Sequence, residues 1–374
     1  MTTLAEYRAR HPGRAPQLPP HWFTSAELHR REQEALFAQT PAYVGHELMI
    51  PREGDYHTLS WQRDAQALVR GRDGVARLLS NVCRHRQAVM LRGRGNARRV
   101  VCPLHRWVYT LQGELEGAPR FDPTPCLHLD ARPLQSWRGL LFEGGARDVA
   151  ADLARLAPHV ASYFDFDRYE LHSAEVTRYA CNWKTFIEVY LEDYHVVPFH
   201  PGLGRFVDCE RLEWQFGEQF SVQAVGLRDA LRRPGTPVYE RWHREARASY
   251  EREGAPLPEH GAVWLLYYPS LTVEWYPNTL VISNVLPDGP EGCRNVVEFY
   301  YPKGLAAARP EFAEAQQAAY RETAVEDEEL CARMQEGRAA LAARGVSERG
   351  PYLPALEDGL EHFNYWVRER LGEV

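Results

Sequence analysis

The sequence has no apolar run approaching the ~18 residues of a membrane span. Its first residues, Met1 to Arg8, lack the apolar stretch of a secretory signal. Both absences point to a cytoplasmic chain with no membrane partner. Excess positive charge is absent too: the formal net charge is −7 and the Lys and Arg residues are dispersed, so nucleic acid is not an expected partner. There is no G-x-G-x-x-G loop to hold a dinucleotide and no internal repeat. Cysteine is sparse, at seven in 374 residues. Five of these, Cys126, Cys181, Cys209, Cys293 and Cys331, follow no repeating spacing. In a reducing compartment they read as buried small apolar groups. What is present is a chain 44% hydrophobic and 25% charged, long enough for two or more globular domains.

The other two cysteines carry the strongest signal. Cys83-x-His85 is followed, after sixteen residues, by Cys102-x-x-His105. Two Cys and two His could hold zinc or a Rieske 2Fe–2S cluster, in which two His replace two Cys on one iron. A zinc finger usually pairs Cys with Cys and His with His. Here each short loop supplies one of each, as a Rieske cluster requires: both thiolates go to the inner iron and both imidazoles to the outer one. Neutral imidazoles leave the outer iron easier to reduce, which suits a mild one-electron carrier. A chance grouping of core Cys and satisfied His is the bland alternative.

Residues 1–20 are rich in Pro and Arg and read as an arm. Thr24 to Glu27 resembles a capping box that opens a helix through about Phe37. From Tyr43 to about Glu143, short runs (Tyr56–Trp61, Ala67–Arg70, Ala76–Val82, Arg99–Val101, Gly139–Phe142) separated by Gly, Pro and Asp turns predict a small β-domain with the Cys/His pairs in its loops. Pro103 stiffens one of those loops. A helix is expected around Val149–Leu156, a strand over His172–Cys181 and a helix from about Asn182 to Val197. Residues 205–305 read as strand-rich. Pro310 opens a long helix ending near Gly345, and Asp358–Leu371 forms a short amphipathic one.

The segment Asn182 to His200 is too polar for an ordinary core helix. Glu188, Glu192 and His195 fall on one helical face. His200 lies five residues past His195, roughly 140° around a continuous helix. Pro198 is expected to break that helix and let His200 turn back. Two converging His suggest a divalent metal; a charged helix face with incidental His is the alternative. An open two-His-one-carboxylate site is what non-haem Fe(II) oxygen chemistry uses, and the long C-terminal helix offers the carboxylate. Within Glu326 to Glu329 only Asp327 has the phase of the apolar stripe, and the others read as a solvated acidic face. An inward Asp is costly unless a cation meets it. That cation could be the metal or a buried Arg.

The joint pattern resembles the α subunits of Rieske non-haem iron oxygenases, the ring-hydroxylating oxygenase large subunits, over nearly the whole chain. Its carriers are Cys83-Arg84-His85-Arg86, Cys102-Pro103-Leu104-His105 through Tyr109, Asn182-Trp183-Lys184, Glu192 to His195 with His200, and Glu326-Asp327 before Gln335-Glu336-Gly337. The resemblance implies an α+β chain in three parts. These are an N-terminal arm and helix over 1–42 that packs on the catalytic domain, a small all-β Rieske domain over 43–145, and a larger helix-grip, START-like catalytic domain over 146–374 with an antiparallel sheet and a long C-terminal helix. It implies a homotrimer. It assigns Cys83, His85, Cys102 and His105 to the cluster and His195, His200 and Asp327 to a mononuclear Fe(II). Glu192 matches the carboxylate that links an iron-binding His to the second Rieske His of a neighbouring subunit, here His105. Asn182 and Tyr194 are expected near the iron. The implied partners are O₂, a small organic substrate and a separate flavin- or ferredoxin-type reductase fed by NAD(P)H.

Two positions depart from the family pattern. Gln87 and Ala88 follow Arg86 where Gly is usual, so the backbone of that loop is in question. Glu replaces the Asp usual in aromatic-hydrocarbon dioxygenases at position 192, which leans toward the carnitine- and betaine-type monooxygenases. The substrate is not legible: Trp264, Tyr267, Tyr268, Trp275 and Tyr276 could form a cage for a quaternary ammonium or be ordinary sheet packing, while Arg205 or Arg228 could hold an aromatic acid. A Rieske electron carrier or sensor without oxygenase activity is the functional alternative. Mono- and dioxygenation, and hydroxylation and demethylation, are not separable from sequence.

Overall fold

The structure, a computed structural model, describes residues 4–10, 17–62 and 65–372. The chain divides into two compact units: Ala38–Ala150, and Met1–Phe37 combined with Ala151–Val374.

The first unit is all-β. Strands β1 (Ala42–His46), β10 (Leu134–Trp137) and β11 (Leu140–Glu143) form a sheet in the order β1-β11-β10. Strands β2 (Asp55–Thr58), β3 (Gln66–Arg70), β4 (Ala76–Ser80), β5 (Arg94–Asn96) and β9 (Ala131–Arg132) form a second, β5-β2-β3-β4-β9. The third is a small meander of β6 (Val100–Val101), β7 (Val108–Tyr109) and β8 (Leu115–Gly117). Val69, Leu79, Val100, Trp107, Tyr109 and Leu111 share one core with Cys83 and Cys102. The cysteines thus come from loops whose bases are anchored by packing. Of the five other cysteines, Cys126 is exposed, contrary to the expectation of burial, while Cys181, Cys209, Cys293 and Cys331 are buried. Cys126 sits in a stretch between β8 and β9 that belongs to no sheet, so nothing covers it.

The second unit is built on a seven-stranded antiparallel sheet. Strands β13 (Val207–Phe216), β14 (Phe220–Leu227), β15 (His260–Tyr267), β16 (Leu271–Tyr276), β17 (Thr279–Pro287) and β18 (Cys293–Pro302) run as a meander, and β12 (Tyr169–Tyr179) closes the far edge on β18. Six helices matter to the site. They are α1 (Ala26–Glu32), α2 (Trp183–Tyr190), α3 (Val196–Phe199), α4 (Pro237–Glu253), α5 (Pro310–Ala343) and α6 (Asp358–Leu371). Helix α5 begins with Pro at N1 and ends before Gly345, whose φ is +67°, as Pro and Gly prefer. Phe312, Ala313 and Ala319 of α5 pack with Trp242 of α4 and with Trp264, Val281 and Phe299 of the sheet.

Residues 205–305 are strand-rich, as expected, with α4 set among the strands. Its signals were there to read. Thr236 caps it by accepting from the Tyr239 amide at 3.2 Å, Pro237 opens it and Gly254 ends it in the left-handed region. The described part of the N-terminal arm packs on this unit, in line with what the resemblance implies. Leu4–Arg10 is helical, Tyr7 stacks on Tyr365 of α6 at 5.6 Å and Arg8 pairs with Glu361 at 2.5 Å; residues 1–3 and 11–16 lie outside the described ones. Contrary to expectation, no helix is continuous from Asn182 to Val197. Helix α2 stops at Tyr190, and a turn separates it from α3. The side chain of Glu192 accepts from the His195 amide at 3.0 Å, a local bond that replaces a helical one. Pro198 does not break the chain either. It lies in the first turn of α3, where its missing N–H costs nothing, and the turn at its end is His200 itself, with φ −103° and ψ 90°. No helix among the described residues is long and apolar enough to cross a membrane.

Candidate active site

The two Cys/His loops are built alike. The Cys83 amide donates to Ala88 O at 2.9 Å and the Gln87 amide to Cys83 O at 3.1 Å; the Cys102 amide donates to Trp107 O at 2.8 Å and the Arg106 amide to Cys102 O at 3.2 Å. The fourth residue after each cysteine takes a left-handed φ, +55° at Gln87 and +60° at Arg106. The absent Gly therefore does not alter the loop: Gln87 adopts the backbone that Gly would. A non-Gly residue there carries about 1 kcal/mol of strain, while Gly loses about 0.4–1 kcal/mol more chain entropy on folding. The two nearly offset, so Gln87→Gly is expected to keep the cluster spectrum and move the melting temperature by no more than about 3 °C. A larger fall, read by thermal denaturation, would mean that the Gln87 side chain matters rather than its φ.

Between these loops the thiols lie inside and the imidazoles outside. Cys83 and Cys102 are both about 1% exposed. Burial pushes the Cys83 thiol up, but the amides of His85 and Arg86, the Tyr109 hydroxyl and the adjacent Cys102 outweigh it and hold the thiol below its ordinary value, which favours the ligating thiolate. Tyr109 also accepts from the Arg84 amide at 3.1 Å. The His85 and His105 rings face each other with centroids 4.6 Å apart, and His85 stacks flat on Trp107 at 4.8 Å. The Nδ1 of His85 is buried with no hydrogen-bond partner. Paired inner sulfurs, paired outer imidazoles and an unused ring nitrogen fit a Rieske cluster and not a structural zinc.

The second centre joins α3 to α5. His195 and His200 flank α3, and Asp327 comes from the middle of α5. One ligand atom from each lies within 4.8 Å of the other two: Nε2 of His195 is 3.1 Å from Nε2 of His200, and Asp327 Oδ1 is 3.6 Å and 3.0 Å from them. The outer nitrogens are both held. His195 Nδ1 donates to Glu192 Oε1 at 2.5 Å and His200 Nδ1 donates to Glu326 Oε2 at 2.6 Å. With the protons fixed on Nδ1, two Nε2 lone pairs face one another beside a carboxylate, an arrangement that demands a cation between them. The electrostatics favour positive charge at this point: burial opposes charge on His195, but Asp327 and Glu192 overcome it and raise its pKa to about 10, so that without a metal a proton takes the place of the cation on Nε2. Burial likewise opposes ionisation of Asp327, and the two histidines hold its carboxyl below the usual range. Two imidazoles and one carboxylate that leave other positions open suit Fe(II).

Glu326 was expected on a solvated face with Glu328 and Glu329, and the structure overturns that: it is the partner of His200. The covered face of α5 is wide enough to take two successive residues, and a ligating His needs a carboxylate on its far nitrogen. That need was the available signal. Glu188, predicted on the same face as His195, instead pairs with Arg338. Asn182 and Tyr194 are not brought to the triad. Asn182 caps α2 by accepting from the Lys184 amide at 2.9 Å and donates to Pro290 O at 2.6 Å, and Tyr194 is 59% exposed.

The triad opens on a cavity of about 150 Å³ between the sheet and α5, walled by Tyr190, Trp264, Tyr276, Phe299 and Tyr320. Of the aromatics singled out in sequence, Trp264 and Tyr276 reach it. Tyr267 bonds Asp152, Tyr268 packs on Trp366 and Trp275 meets Tyr163. Neither Arg205 nor Arg228 lines it; Arg228 is taken by Gly204 O at 2.8 Å and by Asp208 at 3.6 Å. Glu175, Asp193 and Glu274 do line it, as does one guanidinium, Arg321, already paired with Glu175.

An all-β unit with paired Cys/His loops, joined in one chain to a sheet-and-helix unit with an open two-His-one-carboxylate centre, defines a Rieske oxygenase α subunit. The chain belongs to that family: residues 166–373 match the ring hydroxylating alpha subunit (catalytic domain) and residues 40–133 match the Rieske [2Fe-2S] domain. It is 56% identical to a putrescine 2-hydroxylase of Ralstonia nicotianae, over 94% of each chain. It is 48% identical to a putrescine 2-hydroxylase of Bordetella bronchiseptica, over 96% of this chain and 85% of that one. A solved quaternary ammonium Rieske monooxygenase, described as revealing inter-subunit electron transfer, superposes with a TM-score of 0.77 at 21% identity, covering 99% of this chain and 98% of the other. The protein is accordingly the terminal oxygenase component of a Rieske system. Its cofactors are a 2Fe–2S cluster and a mononuclear iron, it acts with O₂ on a small molecule, and a reductase supplies its electrons. The carrier-only alternative is set aside.

Proposed function

We propose that this chain hydroxylates a short aliphatic diamine, with 1,4-diaminobutane as the type substrate. The observation that carries the proposal is the cavity beside the triad, acidic and aromatic, in which the lining guanidinium of Arg321 is already paired with Glu175. A negative cavity with low-dielectric walls selects a positive ligand. Its volume, about 150 Å³, is that of a site for about six heavy atoms. A four-carbon diamine has that number, and carnitine or naphthalene has more. Two relatives at 56% and 48% identity are putrescine 2-hydroxylases, which supports the same class.

In this reading Cys83, His85, Cys102 and His105 hold the cluster, and His195, His200 and Asp327 hold the iron. When bound, the iron supplies the open positions at which O₂ is activated. The chain's own residues do the rest. Glu192 and Glu326 keep both imidazoles in the Nδ1–H form and aim Nε2 inward. The aromatic wall excludes water and lays the alkyl chain against the triad. The reaction converts one C–H bond to C–OH and the second oxygen atom to water, taking up two electrons and two protons that originate from NAD(P)H through a flavin- or ferredoxin-type reductase. The assembly is a homotrimer in which Glu192 faces His105 of a neighbouring subunit. Incubation with a generic reductase, NAD(P)H and O₂ tests the substrate class: 1,4-diaminobutane should give a product one oxygen atom heavier, strictly dependent on O₂. Turnover of choline or carnitine with none of the diamine would overturn it.

A further inference from the structure

Glu274 stands at the centre of β16, and its side chain enters the cavity from the sheet. It is 2% exposed, yet every partner it has is a neutral hydroxyl. Thr272 Oγ1 donates to Oε1 at 3.0 Å, Tyr276 OH to Oε2 at 2.8 Å and Tyr320 OH to Oε1 at 3.4 Å. Among the described residues no Lys, Arg or His pairs with it. Burial raises its carboxyl to about 7 against the pull of the three hydroxyls, the behaviour of an acid placed without its counter-charge. Buried acids are normally paired with a cation or a metal. Of the other acids near the triad, Glu192 and Glu326 hold the two histidines, while Asp193, two residues before His195, takes the Gln223 amide on Oδ1 and leaves Oδ2 buried without a partner.

The surroundings of Glu274 also suit an ammonium. Register places it opposite Trp264 on β15. Trp264 Nε1 donates to Tyr276 OH at 3.0 Å, so indole, phenol and carboxylate form one hydrogen-bonded line that fixes all three. Tyr190 closes on Trp264 at 6.2 Å and Tyr320 on Phe299 at 5.3 Å. Aromatic faces around an anion attract an ammonium group more than either feature alone. Tyr320 and Asp327 are seven residues apart on α5, hence on one face of that helix. An alkyl chain held at Glu274 thus lies along the face that ends at the triad.

We propose, building on the diamine reading above, that Glu274 is the specificity anchor of this oxygenase: it receives one ammonium group of the substrate and thereby sets which carbon meets the triad. The decisive comparison is Glu274→Gln against wild type in the complete reductase-coupled holoenzyme, with 1,4-diaminobutane as substrate. Losing the charge-assisted bond should raise KM by about 100-fold while kcat falls less than about fivefold, with iron content and cluster spectrum unchanged. The residual reaction should also strike the other kind of carbon, next to nitrogen, where the carbinolamine formed collapses to the amino aldehyde and ammonia, so release of ammonia reads the loss of position. An unchanged KM, or a loss confined to kcat, overturns the anchor role. Should E274Q fail to accumulate with its cluster, Tyr276→Phe decides: it removes one fixing hydroxyl and should raise KM several-fold, and no change in KM overturns the proposal. The two readings fail separately. Wild-type enzyme inert toward every diamine sinks the substrate class, whereas active wild type with an indifferent E274Q sinks Glu274 alone.

Discussion

Asp327→Ala abolishes product formation, by at least about 1000-fold, while the visible absorbance of the cluster stays at its wild-type value. The asymmetry follows from where the residue sits. Asp327 Oδ1 lies 3.0 Å from His200 Nε2 and 3.6 Å from His195 Nε2, and it supplies the negative charge at the meeting point of the two imidazoles. Removing a residue that only orients a metal-binding side chain typically costs about 10–100-fold in metal affinity, and removing a direct ligand costs more. About one iron per chain should go with it. The cluster loops lie in the other compact unit, with their own core around Val69, Trp107 and Tyr109, so nothing that holds Cys83 or Cys102 is disturbed. Full activity in this variant, measured as O₂-dependent product, would remove Asp327 from the centre. Loss of the cluster absorbance along with activity would mean that the substitution unfolds the chain.

The second large effect concerns Glu192. Its carboxylate receives the Nδ1 proton of His195 at 2.5 Å and the His195 amide at 3.0 Å. Glutamine at this place still offers one carbonyl oxygen, so His195 keeps its tautomer and the iron stays bound. What is lost is the charge through which one imidazole couples to another across the proposed subunit contact. Glu192→Gln should therefore retain about three irons per chain and slow cluster oxidation under O₂ and substrate by about tenfold or more in a single-turnover experiment read by the decay of cluster absorbance. Kinetics equal to wild type would leave Glu192 as a holder of His195 only.

How far the sequence reached depended on how local each interaction is. The cluster loops were legible because Cys83, His85, Cys102 and His105 sit within two short loops whose spacing is itself the geometry. His195 and His200 were legible for the same reason, although by another route than expected: a turn at Glu192 and the backbone of His200 aim them, and Pro198 does not. Asp327 came from helical phase, which works when one face of a long helix is apolar. Phase failed for Glu326, because the width of the covered face depends on what α5 packs against. Glu274 and Asp193 were missed outright. An acid in the middle of a strand reads as an outward residue until tertiary structure shows that the sheet face is covered. Asn182 and Tyr194 came with the family resemblance; here one caps a helix and the other faces solvent. The aromatic run from Trp264 to Tyr276 was split by strand alternation and strand position, with two of its members in the cavity and three in packing elsewhere.

The central claim is that one chain holds two iron centres, a sulfide-bridged pair in the β-unit and a single ion between α3 and α5. Iron and acid-labile sulfide analysis of the purified, fully loaded wild-type protein tests it most directly. The account requires about three irons and about two sulfides per chain; two irons with two sulfides, or zinc in place of iron, would contradict it.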